Sequence, residues 1–74
     1  MLKVLPNAND RSVRNKMAEA ESYVGLALAL QGATAKDRKY GCERMKLARR
    51  IYSEIGNSPQ VTRVDQDFQT GGCS

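Results

Sequence analysis

Gln31-Gly32-Ala33-Thr34-Ala35-Lys36-Asp37 is the stretch that decides how this chain folds. Gly32 suits the left-handed conformation that closes a helix, and Thr34 suits the N-cap of the next. Thr34-Ala35-Lys36-Asp37 is close to a capping box, with Asp in place of the usual Glu or Gln. Upstream, Asn7, Asn9 and Asp10 follow Pro6 as overlapping N-cap candidates, and neither proline nor a turn cluster interrupts the chain before Gly32. Downstream, Gly56-Asn57-Ser58-Pro59 gives the usual ending of glycine just past a helix and proline soon after. The spacing therefore predicts one helix over about 8–31 and a second over about 35–55. A connection this short makes them antiparallel neighbours, each ~30–36 Å long. The expected fold is all-α, an antiparallel helical hairpin.

The apolar pattern says which faces are covered. In the first helix Val13, Met17, Ala20, Val24 and Ala27 recur at spacings of three and four, opposite Arg11, Arg14, Asn15, Lys16 and Glu19. Val24 to Leu30 is then apolar around the whole circumference, and a second stripe through Tyr23, Leu26 and Leu30 also needs cover. In the second helix Met45, Ala48, Tyr52 and Ile55 hold a stripe that Leu47 and Ile51 widen. Two helices offer each other one face only, so the surplus predicts association, as a homo-oligomeric bundle or with a heteromeric partner that would bury the same surface equally well. Ala18, Ala20, Gly25, Ala27 and Ala29 are small enough to permit close helix approach.

With 74 residues there is room for a single domain, 1–74. Cores of this size rarely supply more than ~3–5 kcal/mol, a second reason to expect help from outside the monomer. Residues 1–6 read as an N-terminal arm and 57–74 as a short irregular extension, partly flexible. In that extension Val61, Val64 and Phe68 fit strand and helix periods equally, and Gln69 to Ser74 looks frayed. Cys42 and Cys73 lie far apart without histidine or a Cys-x-x-Cys, which disfavours a metal site and reads as reduced thiols of a cytoplasmic protein. Nothing approaches a membrane span, and Met1 to Pro6 is too short for a signal-peptide apolar region.

The formal charge is +4, concentrated in two zones. Residues 36–50 alone carry seven cations against two carboxylates. Such zones suit an anionic partner or simply a solvated helix face. Zero histidines remove Ser-His and Cys-His nucleophile activation, so a catalyst is not expected and no cofactor is implied. The more promising constellation is the start of the second helix, where unpaired N–H groups coincide with Lys36, Arg38 and Lys39. Arg44 and Arg49 extend it with bidentate donors, and Tyr40 or Tyr23 offers a face on which a base can stack. The ligand-binding candidates are Lys36, Arg38, Tyr40, Arg44, Arg49 and Tyr23. Tyr52, on the apolar stripe, reads as core.

Arg38-Lys39-Tyr40-Gly41-Cys42-Glu43-Arg44-Met45-Lys46-Leu47-Ala48-Arg49-Arg50-Ile51-Tyr52-Ser53-Glu54-Ile55 resembles the second helix of the phage anti-CBASS and anti-Thoeris hairpin proteins. That family's pattern has an arginine, a leucine seven positions on, Ala-Arg at ten and eleven, and an apolar residue at thirteen. Here Arg38, Met45, Ala48-Arg49 and Ile51 stand at those places, while Glu43-Arg44 replaces an expected Thr-Lys. The resemblance covers about a quarter of the chain. It implies a homo-oligomer, often a hexamer, that sequesters a cyclic (oligo)nucleotide immune signal in pockets between subunits, in the host cytoplasm, without cleaving it. The alternatives from the residues themselves are a small protein–protein interaction or inhibitor protein and, less favoured for want of a recognised groove-binding motif, a basic helical nucleic-acid binder.

Overall fold

The computed structural model describes residues 10–73, and these form three helices and no strand: α1 (Arg11–Gln31), α2 (Ala35–Glu54) and α3 (Ser58–Thr70). Asp10 sets the start of α1. Its backbone is extended, and its carboxylate accepts from the Ser12 amide and hydroxyl, each at 2.8 Å. The Ser12 hydroxyl first, then the Ser12 and Val13 amides, hold the Asp10 carboxyl below its ordinary range, because each donor favours the charged form. The helix thus begins at Arg11 rather than near 8. The expected arm over 1–6 lies outside the described residues.

The break between α1 and α2 falls where the sequence places it, by a different mechanism at Gly32. Its φ of −59° and ψ of 134° are not left-handed. Glycine fits there because a Cβ would lie 2.5 Å from the Leu28 carbonyl oxygen and 3.0 Å from Arg38 Cγ. Thr34 behaves as expected, accepting from the Asp37 amide at 3.1 Å. Gly56, at φ +75°, takes the left-handed position after α2.

α1 and α2 run side by side in opposite directions, since Arg14 pairs with Glu54, Glu21 with Arg44, and Gly25 faces Gly41. The seam on α1 is Ala18, Ser22, Gly25 and Ala29, and on α2 it is Gly41, Met45, Ala48, Ile51 and Tyr52. This corrects the reading of α1, whose expected stripe through Met17, Ala20, Val24 and Ala27 faces outward. Small residues win the seam because they allow the two backbones to touch, which Val or Met at the same height would prevent. The stripe of α2 is as expected, with Met45, Ala48, Tyr52 and Ile55 all buried.

The expected irregular extension is instead α3. Pro59 sits in its first turn, where the missing N–H costs nothing. Val64 is buried, and Val61 and Phe68 pack beside it against the core. The tail is tied down as well. Cys42 and Cys73 form a disulfide with Cα atoms 5.6 Å apart, so neither is a reduced thiol. The bond closes a loop that holds α2 and α3 together. Two side-chain contacts clamp α3 and its entry to α1. Asn57 donates to Asn15 at 2.9 Å, and Arg63 donates to the buried Ser22 hydroxyl at 3.1 Å. No helix among the described residues is long and apolar enough to cross a membrane.

Candidate interaction face

α3 covers only one side of the α1–α2 layer. Its partners on α1 are Asn15 and Ser22, and on α2 they are Cys42 and Arg49, reached through Cys73 and Asp65. On a helical projection these positions lie to one side of the seam, whereas Arg14, Met17, Glu21, Val24 and Leu28 of α1 and Tyr40, Arg44, Leu47 and Glu54 of α2 lie to the other. Most large apolar residues left in water are there. Met17 is 51% exposed, Tyr40 50%, Val24 48% and Leu47 40%. The Cα envelope is a slab of 48 × 25 × 12 Å, so this side is broad rather than concave.

The face is banded along the helix axes. Arg14 and Glu54 form an ion pair at one end. Met17 and Leu47 follow. Then comes the Glu21–Arg44 pair, at 2.7 Å and roughly a quarter to a third exposed on each side. Val24, Leu28 and Tyr40 complete the sequence. Arg44 also lies over the Tyr40 ring, 4.9 Å from its centroid, while its Nε is buried without a hydrogen-bond acceptor. Each ion pair bridges α1 to α2 and leaves the apolar bands open to solvent.

The six residues singled out from the sequence are not gathered in one place within the chain. Lys36, Tyr40 and Arg44 follow one another at intervals of four along the uncovered side of α2. Arg38 turns back and donates to the Gly32 carbonyl at 3.0 Å, finishing α1. Arg49 and Tyr23 stand on the α3 side. Arg49 pairs with Asp65 at 2.6 Å, and Tyr23 has its ring 5.9 Å from the Arg63 guanidinium. Tyr52 is core, as expected.

Sequence reasoning passed over Arg63, which organises the covered side. It donates to Gln60 at 2.6 Å, Asp67 at 2.8 Å and Ser22 at 3.1 Å. The cleft of about 290 Å³ beside it, lined by Asn15, Glu19, Tyr23, Tyr52, Gln60 and Arg63, is therefore built around a guanidinium that the protein itself engages. The Arg63-x-x-x-Asp67 spacing was the available signal, but it carries meaning only once residues 58–70 are known to be helical. Among the described residues no group of three His, Cys, Asp or Glu is placed to hold a metal ion.

Compared with known proteins, the chain matches no family model, no curated protein and no solved structure.

Proposed function

We propose that the protein works by association rather than catalysis, as a small interaction module whose binding surface is the uncovered side of α1 and α2. The observation that carries this reading is the asymmetry of the slab: α3 covers one side, and Met17, Val24, Tyr40 and Leu47 stand half exposed together on the other. The Cys42–Cys73 bond supports an oxidising compartment as the working environment, in place of the cytoplasm expected from the sequence. An apolar dye such as anilinonaphthalene sulfonate tests the surface directly. At concentrations where light scattering reads a single chain, the protein should enhance dye emission. Met17→Glu with Leu47→Glu should abolish most of that gain, and Tyr23→Ser, off the face, should not. Equal emission from the Glu variant, or none from a single chain, overturns the assignment.

Sequestration of a cyclic nucleotide between subunits is a second reading, favoured by the Lys36, Tyr40 and Arg44 line at one end of the same face. There a phosphate would meet two cations and a base would find an aromatic face. It ranks second because such a signal acts in the cytosol, where this disulfide would be reduced. A panel of cyclic di- and trinucleotides at millimolar concentration should raise the melting temperature if the reading holds. Linkage at a hundredfold excess over Kd is worth about 2.7 kcal/mol, so an unmoved melting curve rejects it.

A further inference from the structure

We infer that the occupant of the uncovered face is a second copy of this chain, related by a two-fold axis that runs parallel to α1 and α2. The inference rests on the preceding reading of that face as a binding surface and names its partner.

The charge order along the face selects the axis. A two-fold parallel to the helices lays α1 of one copy over α2 of the other without changing height along the helix. Whatever stands level with a residue inside one chain then stands opposite it in the dimer. Within the chain Arg14 is level with Glu54 and Glu21 with Arg44. The same register, fixed where Gly25 faces Gly41, sets Met17 near the level of Leu47 and Val24 near that of Tyr40. Across this axis Glu21 of each copy therefore meets Arg44 of the other, Arg14 meets Glu54, and each apolar band meets the same band of the other copy. Both of these charged contacts are of opposite sign, and each occurs twice, as an isologous interface requires.

The competing arrangement fails on the same charges. A two-fold perpendicular to the helices within the interface lays α1 on α1 and α2 on α2. Centred on the face, it stacks Glu21 on Glu21 and Arg44 on Arg44, and juxtaposing like charges is costly. Both axes make every adjacent helix pair antiparallel and leave α3 of each copy outside a four-helix core, so the charges are what choose between them. Two helices about 30 Å long and about 10 Å apart present on the order of 600 Å² per copy, or about 1,200 Å² in total, at the lower edge of specific interfaces. The dimer should accordingly form in the micromolar range and dissociate on dilution.

Sedimentation equilibrium on the oxidised full chain, from about 1 to 500 μM, tests the proposal. The expected mass moves from 8.2 kDa to twice that value. Met17→Lys and Leu47→Glu should each weaken self-association at least tenfold while leaving helical circular dichroism unchanged. Mixed in equal amounts, the two variants should recover a heterodimer, because the introduced lysine of one copy would then meet the introduced glutamate of the other while the second Met17–Leu47 contact stays intact. A single chain throughout the range, a mass beyond two copies, or a mixture that stays monomeric overturns the proposal. If a single chain nonetheless binds the dye through Met17 and Leu47, the face remains a binding surface and only the identity of its partner is wrong. If it binds no dye either, both readings fall.

Discussion

Replacing Cys42 and Cys73 together with alanine is expected to lower the stability of the folded chain by about 3–4 kcal/mol, from the loop-entropy dependence on a separation of 31 residues. That is a large loss for a domain of this size, whose apolar core supplies only ~3–5 kcal/mol. The damage should fall on α3 first. Apart from the bond, α3 is held by Val64 and its flanking Val61 and Phe68, by the partly exposed Arg49–Asp65 pair, and by the Arg63–Ser22 and Asn57–Asn15 contacts. Exposed pairs of that kind contribute a few tenths of a kcal/mol each. Urea unfolding followed by circular dichroism, with and without reductant, measures the loss, and hydrogen exchange should show α3 amides opening before those of α1 and α2. Superimposable oxidised and reduced curves would show that packing alone secures the third helix.

Gly41→Ala should destabilise the protein by about 2–3 kcal/mol, although alanine is the better helix former by ~1 kcal/mol. The sign is decided by what a Cβ would strike. It would lie 2.5 Å from the Gly25 carbonyl oxygen, 2.6 Å from the Ala29 amide nitrogen and 2.8 Å from Leu28 Cβ. Two of those atoms are backbone in the facing helix, so the substitution forces α1 and α2 apart instead of rotating a flexible side chain. Gly25→Ala meets the same obstacle, with the Gly41 carbonyl oxygen and Met45 Cγ each 2.7 Å away. Chemical denaturation should place both variants below the parent, and stabilisation of either would mean that the helices can separate at no cost.

That glycine contact also explains which parts of the fold were legible in the sequence. The ends of α2 were, because they depend on local chemistry: Thr34 caps the helix and Gly56 closes it. The buried face of α2 was, because Met45, Tyr52 and Ile55 are large and repeat at helical spacing. The seam of α1 was not. Ala18, Ser22, Gly25 and Ala29 carry little hydrophobic signal, and the bulkier Met17 and Val24 outweigh them in any periodicity. Ala18, Gly25 and Ala29 are recognisable in the sequence as small enough for close approach, but size alone does not say that they, rather than the bulkier stripe, face α2.

α3 was hidden for a different reason. Val61, Val64 and Phe68 are too few to establish a period, and both the core they pack against and the disulfide join residues that local pattern does not relate. The Arg63 contacts followed from the same missing helix. For the candidate site, the basic and aromatic composition of α2 was read correctly, but the sides were not. Whether Tyr40 and Arg44 share a face with Arg49 depends on where the third helix lands.

The Cys42–Cys73 bond encloses α2's second half, the turn at Gly56 and all of α3 in one covalent ring. Mechanical tension arriving from beyond Cys73 would therefore pass through sulfur to the midpoint of α2, bypassing α3 altogether. A protease that cut the turn at Gly56 would open the ring yet release no fragment, leaving two peptides travelling as one molecule until a reductant parts them.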